Sequence, residues 1–351
     1  MKMPTTDEIY MRRCFDLAAQ GLGLTRTNPL VGSVIVHEGR IIGEGYHHEY
    51  GGPHAEVNAI RHVKDKSLLP SSTIYINLEP CSHFGKTPPC STLIINSGIP
   101  RVVVSNIDPF PGVSGRGIEA MQHAGIDVVT GILEQEGAFI NRRFLTYHRK
   151  KRPYILLKWA QTRDGFIDAE RAKGAPVGTK WITDEISRTL VHKWRAEEAG
   201  LMVGTNTIIA DNPKLNVRRW SGTSPLRITI DRNGRIPETA SILDGSQDTL
   251  VFSCMQERYY GKIKSALIDH EYDMKEILEE LYDQKILSIM VEGGRHILQE
   301  FIDRDLWDEA RVFTGNILFQ RGVPAPELAS EIHTQLDFRG NTLDVYYHAD
   351  S

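Results

Sequence analysis

Apolar residues recur along this chain in two alternating rhythms, one with the spacing of a helix face and one with the spacing of a strand. Thr5-x-x-Glu8 has the form of a capping box and opens a predicted helix that Gly21 and Gly23 end. Residues 31–36 and 40–43 read as a hairpin turning at Glu38-Gly39. A helix is predicted over about 54–64, then a strand over 73–78 that runs into Glu79-Pro80-Cys81. A short helix from about Cys90 is closed by Gly98, and residues 101–105, 118–123 and 127–130 read as strand, helix and strand. Such alternation predicts an α/β fold, a mixed or parallel sheet with helices packed on its faces.

The rhythm breaks at His148-Arg149-Lys150-Lys151-Arg152-Pro153, a basic stretch that reads as a solvated linker. The boundary between a first domain, 1–149, and a second, 150–351, is placed there. Beyond it the alternation restarts with a strand over 154–160 and a helix that Thr183 caps, running to about Ala199. Strands over 201–204, 226–230 and 249–253, a helix over 274–284 and a strand over 288–291 follow. Two of these strands lead into predicted helix starts, at Gly204-Thr205-Asn206-Thr207 and at Gly293-Gly294-Arg295-His296. No repeat relates the two halves.

Length and charge narrow the class. At 351 residues the chain exceeds one ordinary core, which agrees with two domains. A net charge of −4 argues against a protein that coats nucleic acid. No apolar run approaches the roughly 20 residues of a membrane helix, and MKMPTTDEIY lacks the apolar core of a signal peptide. Of the four cysteines, Cys14 and Cys254 read as buried thiols. A cytoplasmic enzyme acting on a small molecule is expected, with neither nucleic acid nor membrane as partner.

The remaining cysteines carry the chemistry. His54-Ala55-Glu56, then Pro80-Cys81, then Cys90, supply one imidazole and two thiols. Three such ligands leave a fourth zinc position for water, the arrangement of a catalytic rather than a structural site. Zinc lowers the pKa of that water toward neutrality, and Glu56 is the candidate to move its proton to a ring nitrogen and a leaving amine. His-x-Glu followed by Pro-Cys is the signature of zinc-dependent nucleobase deaminases. Here, however, the residues from Ser82 to Pro89 separate the two cysteines, where that signature has two. Among them His83 and Lys86 are placed to read a substrate; His83 is alternatively a fourth ligand of a structural zinc, and Lys86 a surface residue.

At this point the residues resemble one family. The run Glu79-Pro80-Cys81-Ser82-His83-Phe84-Gly85-Lys86-Thr87-Pro88-Pro89-Cys90 resembles the zinc loop of the bifunctional riboflavin-biosynthesis deaminase–reductases. Asn28-Pro29-Leu30-Val31-Gly32, Gly52-Pro53-His54-Ala55-Glu56 and Asp108-Pro109 are similar to it as well. Lys158-Trp159-Ala160-Gln161-Thr162, Trp181-Ile182-Thr183, Asp211-Asn212-Pro213 and Val291-Glu292-Gly293-Gly294 resemble that family's reductase half. The resemblance implies a cytidine-deaminase-like N-terminal domain and a dihydrofolate-reductase-like C-terminal domain. It further implies zinc-dependent deamination of 2,5-diamino-6-(5-phosphoribosylamino)pyrimidin-4-one, then NADPH-dependent reduction of the ribosyl group to ribityl phosphate, in a homo-oligomer.

Carried over position by position, the resemblance makes His54, Cys81 and Cys90 the zinc ligands and Glu56 the proton carrier. It sets Asn28, His83, Lys86 and Asp108 against the deaminase substrate. In the reductase half it puts Ala160, Trp181, Thr207, Asp211, Gly294, Arg295, His296, Ile297, Leu298, Gln299 and Glu300 on the cofactor side. Lys158, Thr179, Arg195, Leu215, Arg218 and Glu292 fall on the substrate side. Arg195 and Arg218 suit a 5′-phosphate, whose oxygens a guanidinium meets in pairs. Arg232 stands where the family pattern has a small polar residue, and is expected to pair with the 2′-phosphate of NADPH. Lys158, Asp211 and Glu292 remain alternative proton donors for the hydride step. The rival readings are a tRNA or free-nucleobase deaminase with an unrelated second domain, and a zinc-stabilised nucleotide-binding regulator; the acidic charge and long zinc loop oppose the first, Glu56 the second.

Overall fold

The structure, a computed structural model, describes residues 3–82, 88–110, 114–172, 176, 178–255, 262–269, 271–338 and 340–349. The chain divides into two compact units, Met1–Lys150 and Lys151–Ser351.

The first unit runs α1 (Thr6–Ala19), β1 (Gly32–His37), β2 (Arg40–Tyr46), α2 (Ala55–His62), β3 (Thr73–Leu78), α3 (Cys90–Asn96), β4 (Arg101–Asn106), α4 (Arg116–His123), β5 (Asp127–Val129), α5 (Glu134–Ile140) and α6 (Arg142–Lys150). The capping box is formed: Glu8 N donates to the Thr5 hydroxyl while the Glu8 carboxylate accepts from Thr5 N. One sheet, ordered β2-β1-β3-β4-β5, is antiparallel on the hairpin side and parallel from β3 onward. The inner strands β1, β3 and β4 are buried along nearly their whole length because both faces are covered. Ile35, Ile74, Ile76, Val102 and Val104 pack with Ala59, Ile60, Ile94 and Met121 from α2, α3 and α4. The alternate positions Val34, Val36, Tyr75 and Val103 pack with Met11, Cys14 and Phe15 of α1.

Glycines fix how closely α2 approaches. A Cβ at Gly45 would lie 2.4 Å from Ala59 N, and one at Gly43 would lie 2.5 Å from Ala59 O. The helix that follows His54 therefore lies directly on the backbone of β2. Its start, the ends of β3 and β4 and the beginning of β1 share one edge of the sheet, with Ser33 opposite Ile76 and Gly32 opposite Tyr46.

Residues 148–150 correct the linker reading, since they are the last turn of α6. That helix buries Phe144, Leu145 and Tyr147, an apolar stripe hidden in the sequence by the arginines and lysines around it.

The second unit runs β6 (Tyr154–Thr162), β7 (Phe166–Ala169), α7 (Glu185–Glu197), β8 (Gly200–Gly204), α8 (Thr205–Asp211), β9 (Leu226–Ile230), β10 (Thr249–Ser253), β11 (Ile263–Leu267), α9 (Met274–Asp283), β12 (Ser288–Val291), α10 (Arg295–Asp303), β13 (Glu309–Gly315), β14 (Gly322–Pro324), β15 (Thr334–Phe338) and β16 (Asn341–Tyr347). Nine strands form one sheet ordered β11-β10-β9-β8-β12-β6-β13-β16-β15, and β7 pairs with β14 in a separate ribbon. From β11 to β13 the pairings are parallel; β16 and β15 close the sheet antiparallel. Ile155, Leu157, Ile289 and Val291 point to the side of α9 and α10, Leu156 and Met290 to the side of α7. The cap of α7 is Asp184, not Thr183: its carboxylate accepts from Ser187 N at 2.7 Å. Both are capping types, and the aspartate adds a charge that suits the positive end of the helix.

Because the parallel strands are switched around β12, the chain leaves neighbouring strand ends in opposite directions. A crevice opens at their carboxyl edge, the usual place for a ligand in such a sheet.

Candidate active sites

His54 is the residue before α2 and makes no capping bond, so its imidazole is left to face the thiols. Nδ1 lies 3.6 Å from Cys81 Sγ and 3.4 Å from Cys90 Sγ. In a tetrahedral site with bonds of about 2.0 Å to nitrogen and 2.3 Å to sulfur, that edge measures about 3.5 Å. The three donor atoms lie within 4.8 Å of one another, and among the described residues no other group of histidine, cysteine and acidic side chains is so arranged. The donor set fits zinc with one position left for a small molecule.

The electrostatics suit a cation site. Hydrogen bonds from Cys90 and from His54 outweigh burial and hold the Cys81 thiol low, while the same contact pushes the Cys90 thiol up. Cys90 N, at the start of α3, also donates to Cys81 Sγ at 3.3 Å. Glu56, in the first turn of α2, is 3% exposed, and its Oε2 has no hydrogen-bond partner among the described residues. Burial lifts its carboxyl to about 7. A buried, unpartnered oxygen poised to ionise near neutrality is what a proton carrier requires.

Of the four predicted substrate residues, Asn28 lies beside this centre and Asp108 follows the end of β4. Asn28 Nδ2 lies 2.9 Å from His47 Nε2, and His47 Nδ1 lies 3.1 Å from the Pro53 carbonyl. Burial lowers the His47 pKa, so the neutral ring donates to Pro53 and accepts from Asn28, which fixes the orientation of the amide. The His47 and His54 rings meet edge-on with centroids 5.6 Å apart. His47 was missed in the sequence, where it is one of two adjacent histidines after a strand. Asp108 follows β4, the neighbour of β3, and its carboxylate accepts from Phe110 N at 2.8 Å. His83 and Lys86 lie outside the described residues.

In the second unit a cavity of about 1160 Å³ opens at the carboxyl ends of β8, β9 and β12. Every reductase-side residue picked out above lines it: Lys158, Ala160, Thr179, Trp181, Arg195, Thr207, Asp211, Leu215, Arg218, Arg232, Glu292 and the run from Gly294 to Glu300. Ile297 and Leu298 turn their side chains into the apolar core, so they offer the cavity their main chain. Gly294 starts α10 without a side-chain cap, which leaves the first N–H groups of that helix for a ligand.

One end of the cavity is strongly basic. Arg195 donates to Glu292 through Nε at 2.7 Å and Nη2 at 2.6 Å. Burial works against ionisation of Glu292, but Arg195 overcomes it and holds the carboxyl at about 2. Burial pushes Lys158 down, and burial with Arg195 and Arg218 lowers His192 to about 4. Burial, then Arg195 and Arg219, lower the pKa of Arg218 as well. Such crowding of cations is relieved by an anion. Two donors of Arg195 are occupied by Glu292, whereas Arg218, bonded to the Asn216 amide oxygen at 3.2 Å, is less committed. At the other end the Arg232 guanidinium lies 4.8 Å from the centre of the Tyr272 ring. No pattern in the sequence points to Tyr272, nor to Arg171, which ion-pairs with Asp168 and Asp211 at the cavity wall.

Comparison with known proteins agrees with this division. Residues 4–106 match the cytidine and deoxycytidylate deaminase zinc-binding region, and residues 153–328 match the RibD C-terminal domain. The riboflavin biosynthesis protein RibD of Aquifex aeolicus is 39% identical over 92% of this chain and 90% of its own. That of Actinobacillus pleuropneumoniae is 40% identical over 82% of this chain and 78% of its own. A crystal structure from Thermotoga maritima, described as a diaminohydroxyphosphoribosylaminopyrimidine deaminase/5-amino-6-(5-phosphoribosylamino)uracil reductase, superposes with a TM-score of 0.89 at 36% identity, covering 97% of this chain and 98% of that one. No described helix is long and apolar enough to cross a membrane. With a cytidine-deaminase-like fold in its first half and a dihydrofolate-reductase-like fold in its second, the chain belongs to the RibD family of bifunctional deaminase–reductases of riboflavin biosynthesis.

Proposed function

We propose that residues 1–149 remove the 2-amino group of 2,5-diamino-6-(5-phosphoribosylamino)pyrimidin-4-one, and that residues 150–351 reduce the ribosyl group of the product to ribityl phosphate. The observation that carries this reading is the convergence of His54, Cys81 and Cys90 beside the buried, unpartnered Glu56 oxygen. Zinc held by those three residues supplies Lewis acidity, which brings the ionisation of water within reach of neutral pH. Glu56 would take one proton from the attacking water and pass it to the ring nitrogen, then take the second from the hydroxyl now on the ring carbon and pass it to the amine, which departs as ammonia. Asn28, held by His47, offers the substrate its remaining amide hydrogen and oxygen; Asp108 approaches from the end of β4. His83 and Lys86 complete the substrate contacts in this reading.

NADPH supplies a hydride to the second reaction. The uncapped N–H groups at the start of α10 suit its pyrophosphate, and Arg232, braced on Tyr272, suits its 2′-phosphate. Arg218 receives the substrate phosphate, with Arg195 locked in place by Glu292 behind it. Of the three proton donors the reading favours Lys158, which burial makes easier to deprotonate and which lines the cavity. The reading is of a cytoplasmic homo-oligomer.

The test is a coupled assay with purified protein, the diaminopyrimidine phosphate and NADPH, following ammonia and nicotinamide absorbance together. Ammonia release should precede NADPH oxidation and match it in amount. Oxidation of NADPH without prior ammonia release overturns the order of the two steps, and ammonia without oxidation removes the second activity.

A further inference from the structure

We propose that Glu79 is a positioning residue for deamination, whose buried carboxylate sets Asp108 against the substrate by gripping three main-chain N–H groups. The inference rests on the reading that Asp108 contacts substrate.

Glu79 is 4% exposed and stands between β3 and the zinc ligand Cys81. Its Oε2 accepts from Gly115 N at 2.9 Å and from Asp108 N at 3.3 Å, and its Oε1 accepts from Gly117 N at 3.0 Å. Glu79 N in turn donates to the Asn106 carbonyl at 2.9 Å. Both oxygens are thus spent on the backbone that follows β4, and none of the donors is a side chain.

Helix capping alone does not explain the arrangement. The residue before α4 is Gly115, which has no side chain to cap with, and Glu79 does that work from a distant point in the chain. A local serine or aspartate would cap α4 equally well, but only a group on the Glu79-Pro80-Cys81 turn also reaches Asp108. The junction is tight on the metal side too. A Cβ at Gly117 would lie 2.2 Å from the Pro80 carbonyl and 3.3 Å from Glu79 Oε1. The turn that carries a zinc ligand and the turn that carries Asp108 are therefore held in one register by this carboxylate.

The experiment uses the full zinc-loaded chain in four forms: wild type, Asp108→Ala, Glu79→Gln and the double variant. Glutamine keeps one acceptor but points an amide N–H at a main-chain N–H. Each single change should raise the deaminase KM about tenfold, the size of one lost hydrogen bond to a charged group. The kcat, the zinc content and the reduction of pre-deaminated substrate should stay near wild type. The double variant should be no worse than Asp108→Ala alone, because Glu79 acts through Asp108. Multiplying effects, or a loss of kcat together with zinc, overturn the inference and make Glu79 a support of the metal. An unchanged KM in Asp108→Ala refutes the underlying reading of Asp108, and this inference with it. Should Glu79→Gln yield no folded protein, Gly117→Ala, which forces the same junction apart with Glu79 present, must show the same KM rise or the inference fails.

Discussion

Replacing Glu292 with glutamine preserves the shape of the reductase cavity while removing the charge that holds Arg195. The two side chains are 9% and 12% exposed, and their two hydrogen bonds are 2.7 and 2.6 Å long. Burial opposes ionisation of Glu292, yet Arg195 and then Lys158 bring its carboxyl from an ordinary 4.5 to about 2. At about 1.4 kcal/mol per pH unit, that gap corresponds to about 3 kcal/mol of stability. An independent expectation, the cost of stranding one partner of a buried pair, is about 3–5 kcal/mol. A unit of this size loses about 2–4 °C for each kcal/mol, so the unfolding midpoint should fall by about 6–12 °C at pH 7. The pH dependence has a definite sign. A depressed carboxyl stabilises the fold fully above its unfolded value and loses that contribution as pH falls through the folded value. The gap between wild type and Glu292→Gln should thus be widest above pH 4.5 and narrow steadily toward pH 2. Calorimetry across pH 7 to 3 measures it. A midpoint shift below about 2 °C at pH 7, or a gap that widens on acidification, refutes the reasoning.

Three further changes probe other parts of the account. Glu56→Gln should slow ammonia release about 10²–10⁴-fold, with zinc content and NADPH oxidation on pre-deaminated substrate retained; ammonia release at the wild-type rate ends the proton-carrier role. Arg232→Ala should raise KM for NADPH and leave that for NADH alone, and an unchanged preference between the two cofactors removes the 2′-phosphate assignment. Gly45→Ala places a methyl 2.4 Å from Ala59 N and should displace α2. It should cost about 1–3 kcal/mol in denaturant unfolding and weaken zinc binding, and a variant with wild-type stability contradicts the packing argument.

The parallel strands β3, β9, β10 and β12 were readable in the sequence because short apolar runs bounded by turn residues leave few alternatives. The strands after residue 304 were not. In β13 Glu309 and Arg311 are 1% and 8% exposed on a core strand, and each neutralises the other at 2.6 Å, so their charges disguise its apolar character. The helix α5 is a single short element with Gly137 at its centre, which weakens any periodic signal. The His54, Cys81 and Cys90 cluster was readable because metal chemistry restricts residue types. His47 and Glu79 were not, since each works through a neighbour: one orients Asn28, the other grips main chain. Pairing across the fold also decided Arg195, whose partner Glu292 lies 97 residues away.

Metal dependence of ammonia release is the most direct test of the central claim. Chain stripped of metal by a chelator should release no ammonia from the diaminopyrimidine phosphate while still reducing pre-deaminated substrate with NADPH. Zinc added back should restore deamination in proportion, reaching a plateau at one equivalent per chain, and should fail to do so in Cys90→Ser. Deamination that persists at the full rate without metal contradicts the account.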